Sequence, residues 1–296
     1  MRRILPLVAL GFASVVSACK AGDEILSQPV IPTAGVRFIN AVPDTGAAFG
    51  FDFRFVDIVE NSSAFRQTFR DNPQTTAGVT SGTGTYYKPA QAGARQIRIF
   101  LDDTLQAAAQ TVLKDTTVTL TASHNYTGLM QGNARSTGSD KMRFSFIDET
   151  VDDPGSQIAL RVINTTSSAI DVRVYASGGT PGSVTFANVP AFGMSAYVKF
   201  APGQYLYNVQ PAGGGTALFT DALALLGQPP GTSTNGGTVG LDLDVTPGTL
   251  VAGSAVSGVV YPRSVAGSKA ANFTTPGITF SWDRRPARNC TVSFGC

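Results

Sequence analysis

A hydrophobic period of two constrains this chain more than any other feature. In Val36-Arg37-Phe38-Ile39-Asn40, Phe51-Asp52-Phe53-Arg54-Phe55, Gln96-Ile97-Arg98-Ile99-Phe100 and Met142-Arg143-Phe144-Ser145-Phe146, apolar side chains recur at alternate positions. In an extended backbone that spacing puts them on one face of a strand. The pattern returns at residues 158–164, 170–175, 204–209, 239–245 and 278–282. Clusters of Gly, Pro, Asn and Ser separate the runs and supply turns, in keeping with 32 Gly and 17 Pro among 296 residues. Residues 104–114 and 220–227 are apolar without a clear period and fit either a helical turn or an irregular edge. The pattern predicts an all-β protein built of antiparallel β-sandwiches, two sheets packed face to face in each half.

Composition excludes several classes. A hydrophobic fraction of 43% is ample for a core and excludes global disorder. Only 14% of residues are charged, against about 25% in a typical soluble domain, and a net charge of +2 gives no basic field for nucleic acid.

The N-terminus reads as an address. Met1-Arg2-Arg3 is a positive n-region, and 4–16 is apolar, followed by Ser17, Ala18 and Cys19. As a helix the apolar stretch would span about 20 Å at 1.5 Å per residue, short of the roughly 30 Å hydrocarbon core, so it reads as a signal peptide. Val16-Ser17-Ala18-Cys19 resembles the bacterial lipoprotein box. That resemblance implies cleavage after residue 18 and acylation of Cys19, with diacylglycerol and an N-acyl chain anchoring the protein in the membrane. The alternative is an ordinary signal peptide cleaved near Ala18. Lys20 stands where an inner-membrane retention signal often has Asp, which favours the outer membrane in a two-membrane cell. Without Arg2 and Arg3 the chain carries 20 basic and 20 acidic side chains, so the basic pI belongs to the signal peptide. Residues 19–33, with Pro29 and Pro32, read as a lipidated tether.

The halves resemble each other. Val36-Arg37-Phe38-Ile39-Asn40 matches Leu160-Arg161-Val162-Ile163-Asn164 at an offset of 124, and Asp52-Phe53-Arg54-Phe55 matches Asp171-Val172-Arg173-Val174 at an offset of 119. Tyr87-Lys88 with Ala92-Gly93 matches Tyr197 to Lys199 with Pro202-Gly203. Loop insertions in a duplicated domain produce such drift. At these residues the chain resembles the bacterial family known as domain of unknown function 4397, whose members open with a strand like Val36 to Asn40 followed by Ala41-Val42-Pro43-Asp44. The second half departs in having Thr165-Thr166-Ser167-Ser168 in place of the Pro-Asp pair. The resemblance covers roughly Ala34 to Pro286, implies two tandem copies of a secreted or surface-displayed immunoglobulin-like β-sandwich and brings no catalytic residues; the expected domains are residues 34–150 and 156–296. The acidic segment 148–155 is the expected linker.

Candidate chemistry is sparse. His124, the only His, is the one base available to a hydrolase triad, and it sits in an expected surface turn; no Gly-x-Ser-x-Gly elbow occurs. One His and two distal Cys cannot make a zinc site, whereas Asp148, Glu149, Asp152 and Asp153 could offer oxygens to calcium or form a solvated linker. Asp242 and Asp244 alternate with apolar neighbours, as on the outer face of a strand. No nucleotide loop is present, and no cofactor or metal is expected. Tyr86, Tyr87, Tyr205 and Tyr207 could form a carbohydrate or protein contact patch, though strand aromatics mostly pack. Cys290 and Cys296 are expected to close a disulfide that staples the C-terminal tail. The expected protein is a non-catalytic binding or structural module on the cell envelope, with adhesin or contact module as the alternative and a hydrolase using His124 behind it. Its expected partners are the membrane, reached through the lipid on Cys19, and an envelope protein or polysaccharide of unknown identity; nucleic acid is not expected to bind.

Overall fold

The computed structural model describes residues 31–44, 51–57, 69–72, 87–101, 105–229, 246–265 and 275–286. The signal peptide, Cys19, Cys290, Cys296, Tyr86, Asp242, Asp244 and the strand expected at 239–245 lie outside the described residues.

The alternating runs are strands. The first set is β1 (Thr33–Asn40), β2 (Phe51–Phe55), β3 (Phe69–Asn72), β4 (Lys88–Gln91), β5 (Gly93–Leu101), β6 (Val112–Leu120), β7 (Asn125–Gln131) and β8 (Arg143–Asp148), with one helical turn, α1 (Gln106–Ala109), between β5 and β6. The second set is β9 (Ile158–Asn164), β10 (Ile170–Ala176), β11 (Phe186–Val189), β12 (Gly193–Met194), β13 (Val198–Phe200), β14 (Tyr205–Pro211), β15 (Phe219–Leu223), β16 (Ala255–Tyr261) and β17 (Gly277–Arg284). Among the described residues of the segments at 104–114 and 220–227, the first holds α1 with the start of β6, and the second the end of β15 followed by residues without regular structure.

Sheet order repeats between the sets. The first forms β4-β1-β7-β8 and β3-β2-β5-β6; the second forms β12-β9-β16-β17, with β13 also on β9, and β11-β10-β14-β15. One pairing in each set departs from the antiparallel expectation: β1 runs parallel to β7, and β9 to β16. Parallel neighbours cannot be joined by a hairpin, and here the chain between them passes through the opposite sheet.

Each set buries its own core between its two sheets. Val36, Phe38, Phe53, Phe55, Ile97, Ile99 and Met130 meet in the first, where the Phe38 and Phe53 ring centroids lie 5.0 Å apart. Leu160, Val162, Val172, Tyr207, Val209 and Val256 meet in the second. Gly128 and Gly258 sit mid-strand because rings lie over them: a Cβ on Gly128 would fall 3.1 Å from the Phe53 ring, and one on Gly258 would fall 3.1 Å from the Phe280 ring.

A third apolar cluster joins Ile39, Ala41 and Leu129 of the first set to Ile163, Val259 and Tyr261 of the second, with Ile147 against it. The sheets containing β1–β7 and β9–β16 therefore pack against each other by their outer faces. β9 and β16 are buried throughout, and strands covered on both faces lose strict alternation.

Candidate functional site

The polar centre of the molecule lies beside that third cluster, where strand register brings together two arginines and two carboxylates. Arg37 on β1 pairs in register with Thr127 on β7, and Arg161 on β9 with Ser257 on β16. Each arginine donates its Nε to that neighbour's hydroxyl at 2.7 Å. Each guanidinium also lies over a tyrosine ring, Arg37 at 4.6 Å from the Tyr87 centroid and Arg161 at 4.7 Å from that of Tyr197.

Carboxylates close the network. Arg37 Nη2 donates to Asp283 Oδ1 at 2.6 Å and to Glu149 Oε1 at 3.3 Å, and Arg161 Nη2 donates to Glu149 Oε2. Asp283 Oδ2 accepts from Ser257 Oγ at 2.6 Å and from Tyr197 Oη at 2.9 Å. Arg37 Nη1 donates to the Trp282 carbonyl at 2.7 Å, and Arg161 Nη1 to the Met194 thioether at 3.4 Å. The charges balance, and the Arg37, Glu149 and Asp283 side chains have no solvent exposure.

Electrostatics follow from the burial. Desolvation alone would lower the Arg37 pKa, but the Tyr87 oxygen, Asp283 and Glu149 carry it above the ordinary guanidinium value. Burial, reinforced by Asp283, pushes the Tyr197 phenol well above its usual range. A protonated phenol, two fixed cations and engaged carboxylate oxygens leave no open nucleophile or base. What this arrangement can do is hold two sandwiches in one register.

The repeated motifs have local tasks. Asn40 Oδ1 accepts from the Val42 N–H and Asn164 Oδ1 from the Thr166 N–H, both at 3.0 Å, turning the chain after β1 and after β9. Asp44 then accepts from the N–H groups of Ala134 at 2.6 Å and Arg135 at 2.9 Å, tying the exit of β1 to the turn after β7. The second set makes the corresponding tie without an Asp, through the Thr165 hydroxyl to the Val260 carbonyl at 2.6 Å. Asp171 accepts from the N–H groups of Asn188 at 2.7 Å and Gly213 at 2.9 Å, while Asp52 pairs with Arg54.

His124 stands in a turn, as expected. Its Nδ1 lies 3.0 Å from Asp148 Oδ2 and its ring stacks on Tyr126; no serine hydroxyl among the described residues is hydrogen-bonded to it. The acidic segment is neither a solvated linker throughout nor a cluster. Glu149 is held between the arginines, and Asp153 accepts from the Gly155 N–H and pairs with Arg284. Among the described residues no group of three or more His, Cys, Asp or Glu side chains converges as a metal site. Of the tyrosines considered for a contact patch, Tyr207 is in the core, Tyr87 lies under Arg37, and Tyr205 is half-buried against Phe200.

Sequence reasoning missed the charged quartet. The signal was present: the repeat aligned Arg37 with Arg161 and Tyr87 with Tyr197, charged and phenolic side chains at like positions of strands otherwise apolar.

The fold defines a class, that of paired all-β sandwiches. Residues 34–175 match the family model described as Domain of unknown function (DUF4397), a span that covers the first strand set and runs on through β9 into β10. No curated protein matches the chain. Among solved structures, "The Bacillus anthracis TIE protein" aligns at 14% identity over 61% of this chain with a TM-score of 0.16. This chain spans 28% of that one.

Proposed function

We propose that this protein is a lipid-anchored component of the cell envelope that displays two copies of the family's sandwich as a non-catalytic binding or structural module. The single observation that carries the reading is the placement of Cys19, directly after an apolar segment of signal-peptide length and the small residues Ser17 and Ala18. The repeated strand order, with one parallel pair at the same place in each set, supports the two copies. The use of the buried carboxylates and tyrosines in internal contacts supports a structural role over a catalytic one. The acyl chains hold the molecule at a membrane, the outer one where there are two, and the tether carries the sandwiches clear of the headgroups.

Fractionation tests the anchor. Wild-type protein is expected in the membrane fraction and Cys19→Ser in the soluble fraction, with mass spectrometry finding an acylated Cys19 as the mature N-terminus. An unmodified Cys19, or cleavage elsewhere, refutes the anchor.

A further inference from the structure

The first sandwich is open along the side where its two sheets end in β6 and β8. A cavity of about 280 Å³ lies there, lined by Leu113 and Lys114 of β6, Met130 of β7, Met142, and Arg143 and Phe144 of β8. The walls combine thioether, aliphatic and phenyl groups with the charged side chains of Lys114 and Arg143, a lining that suits an amphiphile with a flexible apolar chain.

Lys114 is the unusual member. It pairs in register with Ile99, which is fully buried, and stands on the same side of the sheet, but on this edge strand Lys114 is itself exposed. Its ammonium has no hydrogen-bond or ion-pair partner among the described residues, since the adjacent Asp115 is taken on the outer face by Arg98 and Gln96. Arg143, whose guanidinium lies over the Phe192 ring at 4.1 Å, is a second cation in the lining.

The second sandwich supplies an internal comparison. Phe53 pairs with Ile99 and Val172 with Val209, so the partner of Val209 corresponds to Lys114. That partner is Phe219, a ring packed against the core. At one register position, one copy carries an aromatic ring and the other an unpaired cation beside a cavity.

We propose that this cavity binds a single-chain amphiphile with an anionic head group, the tail among Met130, Met142, Leu113 and Phe144 and the head at Lys114. The inference goes beyond the envelope reading, and its test uses the full chain in solution as Cys19→Ser, so its outcome does not depend on acylation. The probes are decanoate and, as its uncharged counterpart, decanol. The readout is methyl NMR of the methionines, with Met194, held against Arg161 in the second strand set, as the reference.

Decanoate is expected to shift the Met130 and Met142 methyls saturably without moving Met194. Decanol should bind at least tenfold more weakly, Lys114→Glu should weaken decanoate at least tenfold, and Lys114→Phe should abolish the shifts. Absence of a saturable shift in the Cys19→Ser chain, equal binding of decanol, or a parallel shift at Met194 overturns the proposal. If no shift occurs and Lys114→Phe self-associates, Lys114 is instead a charge that guards an edge strand against pairing.

Discussion

Arg37 and Arg161 occupy the same register position in two equivalent strands, and both reach Glu149, one to each carboxylate oxygen. Removing that carboxylate leaves two buried cations facing Asp283 alone. Breaking a buried pair by deleting one partner costs about 3–5 kcal/mol, because the remaining charge is uncompensated. Glu149→Gln is expected to lower stability by about that amount, read from the urea midpoint, and Arg37→Met should do the same from the other side. Replacing Arg37, Arg161, Glu149 and Asp283 together by apolar residues should recover much of the loss, since burial of charge is itself expensive. A Glu149→Gln variant as stable as wild type would show that the quartet contributes nothing. The Glu149 N–H also donates to the Asn125 carbonyl at 2.7 Å, so proteolysis between 148 and 157 is expected to be slow until the sandwiches separate.

Asp44 illustrates how a short motif earns its place by satisfying backbone. The residue is 3% exposed, and its carboxylate accepts from two consecutive N–H groups, Ala134 and Arg135. Asp44→Ala orphans both, and a buried unsatisfied donor costs about 1–3 kcal/mol. Asp44→Asn keeps one amide oxygen and should recover part of the loss. Hydrogen exchange at the Ala134 and Arg135 amides checks the mechanism: it should accelerate in Asp44→Ala well before global unfolding, and unchanged protection would break the link.

Strands marked by alternation or by the internal repeat were legible in the sequence, and strands with neither mark were not. β2, β9 and β10 stood out by alternation or by their repeat, and the expected runs 51–55 and 158–164 coincide with β2 and β9. β16, Ala255–Tyr261, was missed because the third apolar cluster covers its second face, leaving Ser257 and Gly258 inside an otherwise apolar run. β6 was missed for the opposite reason. As an edge strand it is mostly exposed, and only its β-branched Thr116, Thr117, Val118 and Thr119 mark it as extended. The charged junction was half legible, because the repeat placed its arginines and tyrosines. Glu149 read as part of a solvated acidic run, since nothing local to residues 148–153 reveals that Arg37 and Arg161 converge on it from 112 and 12 residues away.

Tyr175 sets an alkaline prediction. Its hydroxyl donates to Asp221 and lies 3.0 Å from Asn208 Oδ1, with Asp221 held at φ +58°. Burial first, then the Asp221 carboxylate, pushes the phenol up to about 12. A raised pKa means the folded state favours the neutral phenol. The contribution to stability is therefore complete below the unfolded value near 10 and is lost as pH rises toward 12. Tyr175→Phe should be less stable than wild type at pH 8, and the difference should shrink between pH 10 and 12. A difference that stays constant across that window would refute the assignment.

Cys290 and Cys296 give the last prediction. Under the proposed anchoring, Cys19 is taken by the lipid, and these two are the remaining thiols of a chain whose proposed compartment permits disulfides. A bridge closes a loop of seven residues, counting both cysteines, and the chain-entropy treatment gives it about 2.4 kcal/mol, an upper guide for so short a loop. The final described strand, β17, carries Trp282 against the Tyr87 ring and Asp283 into the charged quartet. A staple shortly after it is expected to limit fraying from the C-terminal end toward those contacts. Non-reducing peptide mapping should recover a peptide linking Cys290 to Cys296, and reduction should lower the melting temperature by a few degrees at most. Quantitative alkylation of both thiols without reductant would eliminate the bridge.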